Sequence, residues 1–410
     1  MRQSELFSKT RRESPKGEES LNAKLLIQAG FIDKLSAGVF TLLPLGLKTI
    51  KKIEDIIRKE MLGLGASEIL MPALHPKENW TATGRWDSMD DLYKITDSGG
   101  REFALGPTHE EIITPLATKI IESYRDLPKA VFQFQDKFRM ELRAKSGIIR
   151  AREFLMKDLY SFHLDESDLD SFYKRAVLSY RSIFESVGLG DITHLTFASG
   201  GSFSKYSHEF QTESSAGEDT IYVCEKCGSA VNKEIKKETP KCPDCDSSDF
   251  EEKKAIEVGN IFKLKTKFTD AFNLNVKNKS GEETRVLMGC YGIGLGRLMG
   301  TVVETHNDEK GIIWPESVAP FSVHLISLAG GNGDAIYGQL KSSGVDVLYN
   351  DYEDSSAGEK FASADLIGLP YRLVVSGKTG DKIELKKRRE DKTELLTLDK
   401  IISLLKSSPI

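Results

Sequence analysis

No apolar run in the 410 residues approaches the roughly 20 that a membrane-spanning helix needs, so an integral membrane protein of that kind is excluded. A secretory signal is not expected either. The N-terminal stretch MRQSELFSKTRRESPKGEES carries charge with no apolar core behind it, and synthesis and residence in the cytoplasm are expected. There is no surplus of positive charge: 57 Lys and Arg against 62 Asp and Glu leave a net charge of -5. Wholesale coating of nucleic acid is therefore excluded, and any nucleic-acid partner must meet local patches. Cysteine is scarce, with five in all. Four fall in two pairs, Cys224/Cys227 and Cys242/Cys245, and Cys290 stands alone among glycines. A disulfide framework does not fit a large cytosolic chain, whereas a metal site and one lone thiol do.

What is present is the composition of an ordinary globular protein, 39% hydrophobic and 29% charged, long enough for two or three domains at about 150 residues each. Between Leu45 and Met61, residues Leu47, Ile50, Ile53, Ile56, Ile57 and Met61 recur at helical spacing, which predicts an amphipathic helix. The run SEILMPALHP after it, bounded by Pro72 and Pro76, predicts a short strand. From Ala130 the stretch VFQFQDKFRMEL alternates with period two, a basic loop follows, and REFLMKDLYSF returns as a second apolar stretch. Two antiparallel strands joined by a cationic loop are expected. Leu169 to Val187 reads as a helix and Ser199 to Ser207 as a glycine- and serine-rich loop. From Ser215 to Lys254 the composition shifts to Lys, Glu and paired cysteines, as in a small insertion. From Pro320 the segments FSVHLISL, DAIYGQLKSSG, VDVLYND, EKFASADLIGLP and YRLVVSG alternate as β-α-β-α-β, a separate closing domain.

Two constellations carry chemistry. The first is Phe138-Arg139-Met140-Glu141, with Arg143, Lys145, Arg150 and Arg152 close behind. A strand ending in arginine, with more arginines in the following loop, can pin nucleotide phosphates while a nearby carboxylate orients a base or amine. A solvated basic hairpin is the plainer alternative. The second is Gly289 to Arg297, GCYGIGLGR, entering an apolar helical stretch. Alternate glycines let the backbone approach a ligand closely, and an arginine opening a helix can reach a terminal phosphate. The spacing is neither GxGxxG nor GxxxxGK[ST], and a structural strand-to-helix turn remains the alternative.

Taken in order, the helix with its proline-ended strand, the FRxE strand pair and the GxGxGR turn resemble the three signature motifs of class II aminoacyl-tRNA synthetases. GPTHEE at Gly106 to Glu111, REFLMKDLYSF at Arg152 to Phe162, SHEFQ at Ser207 to Gln211 and MGCYGIG at Met288 to Gly294 narrow the resemblance to bacterial prolyl-tRNA synthetases, over nearly the whole chain. The resemblance implies activation of proline by ATP with Mg2+ and transfer of prolyl to tRNA(Pro). It implies that Arg139 holds the α-phosphate and a carboxylate oxygen, that Glu141 sits near the adenine, and that Arg150 and Arg297 meet phosphate. Thr108 and Glu110 would bind the secondary ammonium of proline, His208 and Cys290 would line its pocket, and Gln211 would contact ATP or proline. Phe154 and Met156 read as core or pocket wall. The scaffold motifs are shared with threonyl and glycyl types, and a catalytically idle tRNA-binding paralogue is a further alternative.

The C-x2-C-x14-C-x2-C array of Cys224, Cys227, Cys242 and Cys245 predicts a closed tetrahedral zinc site, structural rather than catalytic. It stands where many bacterial members carry a large editing domain, so no hydrolysis of mischarged alanyl-tRNA is expected here, and a separate trans-editing protein would have to supply it. Where the family often has GHIF, this chain has Gly259-Asn260-Ile261-Phe262. The expected fold class is α+β: a six- or seven-stranded antiparallel class II sheet flanked by helices, with a zinc-ribbon-like insertion and an α/β anticodon-binding domain. The expected divisions are 1-214 and 255-317 for the catalytic domain, 215-254 for the insertion and 318-410 for the anticodon-binding domain. The basic run Lys386, Lys387, Arg388 and Arg389 could meet tRNA phosphate. A homodimer is the family expectation.

Overall fold

A computed structural model describes residues 1-407 other than 14, 16, 143, 202 and 204. Arg143 of the basic loop thus lies outside the described residues. The chain divides into two compact units: one takes residues 37-39 and 54-301, the other 1-36, 40-53 and the chain from 302 onward.

The larger unit is organised on a nine-stranded sheet. At its heart is the expected hairpin: Lys129–Phe138 pairs antiparallel with Glu153–His163, from Lys129 opposite Phe162 to Phe138 opposite Glu153. Glu153–His163 pairs next with Leu287–Gly294, and that strand with the long Phe250–Lys265. Tyr206–Glu213 pairs with the middle of the long strand, and Thr193–Ser199 with Tyr206–Glu213. Alternation along Glu153–His163 sends Met156 and Asp158 toward one face, where they line a cavity, and Lys157 toward the other. There the Lys157 ammonium donates to the Tyr180 hydroxyl at 2.6 Å.

Tyr180 belongs to the helix Glu166–Ser186, which starts where the Asp165 carboxylate caps the Asp168 amide at 2.9 Å. Leu169, Phe172, Tyr173, Ala176, Tyr180, Ile183 and Phe184 form its buried stripe. Each large ring buried this way contributes roughly 1.5–3 kcal/mol over leaving it in water. The helix lies so close to the sheet that a Cβ on Gly259 would come within 3.1 Å of Tyr180 and 3.2 Å of Phe184.

Two expectations change. The strand over SEILMPALHP is split: Ser67–Glu68 pairs parallel with Val131 and Phe132, while Leu74–Pro76 joins a separate three-stranded sheet. Between them the Met71 amide donates to the Gln133 side chain at 2.9 Å, and Pro72 has no N–H for a ladder. The sheet is also wider than six or seven strands, because the cysteine-bearing segment joins it. Asp219–Cys224 pairs with Phe250 to Ala255, and Ala230 and Val231 pair parallel with Thr196 and Phe197. The strand Phe250–Lys265 runs unbroken through the point where the insertion was expected to end.

The smaller unit carries a five-stranded sheet in the order Val347–Asn350, Val323–Ser327, Tyr371–Val375, Ile383–Lys387, Thr393–Leu396. The first three strands are parallel and the rest antiparallel. Helices Gly333–Ser342 and Ala357–Ile367 supply the crossovers that parallel strands require. The β-α-β-α-β pattern is present, with two antiparallel strands and the helix Leu398–Ser407 appended. Ala357–Ile367 opens on a capping box between Ser356 and Glu359 and ends at Gly368, whose φ of 77° permits the left-handed turn.

Candidate active site

Two cavities in the larger unit share one wall residue, Arg139. One, of about 390 Å³, is lined by Thr108, Glu110, Cys290, Asp158 and Asn260 among others; the second, of about 280 Å³, is lined by Glu141, Arg150, Glu257 and Arg297 among others. Arg139 follows directly on the strand end at Phe138, and its amide donates to the Arg152 carbonyl at 2.9 Å, which closes the hairpin. Its guanidinium donates to the Pro107 carbonyl at 3.3 Å and lies 5.2 Å from the centre of the Phe154 ring. Among the described residues it makes no ion pair. Burial and the neighbouring Arg297 cation hold its pKa below the usual arginine value. An anion bound between the two arginines would relieve both penalties.

In the first cavity, Glu110 opens the helix Glu110–Ala117 and is fully buried. The Thr108 hydroxyl donates to one of its oxygens, and the Cys290 thiol donates to the other at 3.1 Å. Burial, with Glu110 adding to it, pushes the Cys290 thiol well above its ordinary value, so it stays protonated. Gly292 borders the same cavity, and a Cβ there would stand 2.9 Å from the Asn260 side-chain oxygen.

In the second cavity, Arg150 donates to Glu141 at 2.7 Å and also pairs with Glu218. Arg297 lies in the first turn of the helix Leu295–Thr305 that follows the glycine strand. Its guanidinium donates to the carbonyls of Ile149 and Glu257, each at 3.0 Å, and lies 3.3 Å from the Glu257 carboxylate. That carboxylate accepts from the Asn260 amide at 2.9 Å. Asn260, which stands where the family often has histidine, thus links the wall of one cavity to the arginine of the other.

Other expected site residues lie elsewhere. His208 does not border the Glu110 cavity among the described residues: its ring bonds the Tyr173 hydroxyl at 2.7 Å, and Phe197 packs 4.5 Å from it, centre to centre. Burial lowers its pKa to about 4, so it is neutral. Gln211 is buried and donates to Glu209 at 2.9 Å and to Asp219 at 2.7 Å, and only Asp219 reaches the second cavity. In the smaller unit, Arg388 is tied to Asp308 at 2.6 and 2.8 Å, Lys387 to Glu390 at 3.0 Å and Lys386 to Asp391 at 3.6 Å, while Arg389 is exposed without an ion pair among the described residues. The residues that motif reasoning missed are Arg85, Asp91, Asp219 and Glu218, which border the cavities with no spacing signal of their own.

The four paired cysteines converge. Their sulfurs lie within 4.8 Å of one another, with Cys224 to Cys245 and Cys227 to Cys242 both at 3.5 Å. The two pairs are built alike. The Gly228 amide donates to the Cys224 carbonyl and the Asp246 amide to the Cys242 carbonyl, each at 2.9 Å, and both residues have positive φ, 75° and 59°.

Residues 93–306 match the family model described as tRNA synthetase class II core domain (G, H, P, S and T), and 323–408 match that of the anticodon binding domain. The chain is 39% identical over 428 residues to the proline--tRNA ligase of Anaplasma phagocytophilum, covering 98% of this chain and 99% of that one. The chain belongs to the prolyl-tRNA synthetases. It is a class II ligase that joins proline to tRNA. Another such relative, from Caulobacter vibrioides, is 36% identical over 441 residues, with 100% and 99% covered. That of Dehalococcoides mccartyi is 32% identical over 559 residues, with 98% of each chain covered. The fold is that of the Giardia lamblia prolyl-tRNA synthetase solved with prolyl-adenylate (TM-score 0.77, 20% identity, 93% of this chain and 75% of that). It is likewise that of the Cryptosporidium parvum enzyme solved with L-proline and AMP (TM-score 0.75, 18% identity, 94% and 74% covered). No helix among the described residues is long and apolar enough to cross a membrane.

Proposed function

We propose that proline occupies the cavity of Thr108, Glu110 and Cys290, that ATP occupies the cavity of Glu141, Arg150 and Arg297, and that Arg139 joins the two reactants at the shared wall. The observation that carries this is the position of Arg139, which borders both cavities with no carboxylate paired to it among the described residues. Glu110 and Thr108 take the ammonium end of proline, because a desolvated cation needs a counter-charge. The carboxylate then points to Arg139 and attacks the α-phosphorus, with pyrophosphate leaving. Arg139 and Arg297 disperse the charge that develops, without any covalent enzyme intermediate. Glu141 releases Arg150 to phosphate and turns to the adenine amine. The terminal ribose hydroxyl of tRNA(Pro) then attacks the prolyl carbonyl and AMP leaves.

The second cavity is also lined by Glu218, Asp219 and Glu257, an all-oxygen donor set that suits Mg2+. Bound there, the ion would offset the charge of the leaving pyrophosphate. The four cysteines fit zinc: tetrahedral Zn–S bonds of 2.3 Å place sulfurs about 3.8 Å apart, close to the observed spacing and far from a disulfide. We assign Cys224, Cys227, Cys242 and Cys245 a structural zinc within an insertion spanning 215-254, between catalytic segments 1-214 and 255-317 and before an anticodon-binding domain at 318-410.

Four further assignments belong to this reading. The Dehalococcoides alignment runs over 559 positions against 410 residues here, so that relative carries a long stretch this chain lacks. Cis editing is therefore not assigned, and a trans-editing protein would supply it. Leu62, Leu70 and Leu74, half or more exposed near the first motif, support a homodimer face. Arg389, exposed and without an ion pair among the described residues, is the member of the basic run assigned to tRNA phosphate. With tRNA as substrate, the cytoplasm is the assigned compartment. The test is a split in apparent constants: Glu110→Gln raises the KM for proline, Arg297→Ala raises that for ATP, and Arg139→Ala damages both. An unchanged proline KM in Glu110→Gln would overturn the pocket assignment.

A further inference from the structure

We infer that Arg85 and Glu111 act as a pair of positioning residues, whose ion pair holds the guanidinium off Glu110 and leaves Glu110 free to receive the ammonium of the substrate. This rests on the reading of Glu110 as the ammonium acceptor. Glu110 and Glu111 are adjacent and both fully buried. Two carboxylates taken out of water side by side cannot both stay ionised without a cation, because each raises the proton affinity of the other. Arg85 is that cation. It is 6% exposed and held among aromatic rings, with its guanidinium carbon 5.2 Å from the centres of Trp80 and Phe203 and 5.6 Å from Phe268.

Its bonds are unequal. One guanidinium nitrogen lies 2.8 and 3.1 Å from the two oxygens of Glu111 but 3.7 Å from Glu110. The Thr83 hydroxyl adds a third bond to Glu111 at 2.9 Å. Glu110, by contrast, accepts hydrogen bonds among the described residues only from neutral donors, Thr108 and Cys290. A pyrrolidinium against Glu110 would supply the charged donor it lacks. Burial pushes Glu111 up to about 7, with Arg85 opposing the rise and Glu110 adding to it, so the balance is close.

Lys137, Lys267 and Arg139 are the other cations near the pair. Lys137 is paired with Asp158 at 2.7 Å. Lys267, on the neighbouring helix Lys267–Ala271, acts electrostatically on Arg85 and both glutamates, and its own pKa is lowered by burial. Asp90 and Asp91 border the cavity and carry the wrong sign, and Tyr160 and Cys290 are buried with raised pKa values.

Three altered states follow. Without Arg85, Glu111 holds its proton to higher pH and shares it with Glu110, which occupies the acceptor. Without Glu111 the guanidinium, 3.7 Å away, settles on Glu110 and blocks it. Without both, neither a protonated Glu111 nor the guanidinium competes for Glu110. Loss of either partner is thus worse than loss of the two together. The test is ATP–pyrophosphate exchange by the full chain and its R85Q, E111Q, R85Q/E111Q and E110Q variants, varying proline and ATP separately from pH 6.5 to 8.5, with thermal melts alongside.

Each single variant of the pair is expected to raise the proline KM by about tenfold or more, with the ATP KM within about twofold. The R85Q defect should shrink as pH rises and the shared proton leaves, the E111Q defect should not, and the double variant should recover most of the loss. A double variant as poor as the worse single one, or equal rises in both KM values with no pH dependence, would overturn the inference. If R85Q does not fold, R85K takes its place, with a smaller rise and the same pH slope expected. An E110Q defect with normal R85Q and E111Q removes only this inference, whereas an unaffected E110Q removes the reading beneath it.

Discussion

The thiol of Cys290 donates to Glu110 over 3.1 Å, joining two residues 180 positions apart in the chain. The contact makes the lone cysteine part of a pocket wall. A thiol committed to a buried carboxylate is a poor nucleophile, since its thiolate would sit beside a negative charge in a desolvated site.

Folded protein treated with iodoacetamide near pH 8 should therefore leave Cys290 unmodified by peptide mass mapping, whereas the unfolded chain should be labelled there. Cys290→Ser should keep most of the exchange activity. Stoichiometric labelling of Cys290 in the folded chain would contradict its place as a buried donor.

Arg139 and Arg297 should separate kinetically. Arg139→Ala removes a charge facing both reactants, and kcat/KM should fall by about 10²–10³, or roughly 2.7–4 kcal/mol. Arg297→Ala should act mainly on the ATP KM. Equal effects from the two variants on every constant would contradict the shared wall.

Metal analysis of the purified chain should find one zinc per molecule. Cys227→Ser should lose that zinc and lower the melting temperature while leaving exchange at 25 °C largely intact, because a closed four-sulfur site has no position for substrate. A zinc-free protein with the same melting temperature would contradict the assignment.

Acid should destabilise the fold earlier than carboxylate titration alone would. Burial lowers His75 and His208 to about 4 and His324 to about 3, below the ordinary 6.5. The unfolded chain takes up protons below 6.5 that the folded chain refuses, so stability is full above that pH and declines toward those values. Each histidine adds a slope approaching about 1.4 kcal/mol per pH unit. Urea midpoints between pH 7 and 5 measure this, and His324→Gln should flatten the curve for the unit that contains it.

The sequence makes some of this legible and hides the rest for physical reasons. The hairpin around Arg139 was readable because period two survives where one face of a strand is buried. The cysteine array was readable because ligand spacing is local. The count of strands was not, since Asp219–Cys224 and Ala230–Asn232 join the sheet through pairings with distant segments. Nor was the Arg85 contact with Glu111, which spans 26 positions and carries no periodic signal. Nor was the pairing inside the run Lys386 to Arg389, where Arg388 is bound to Asp308, 80 positions away in the chain.

The most direct test is ATP–pyrophosphate exchange by the purified chain with each of the twenty amino acids in turn, with Arg139→Ala as the blank. Exchange with proline alone, abolished in the variant, is the predicted result. Stronger exchange with another amino acid, or none with any, would contradict the account.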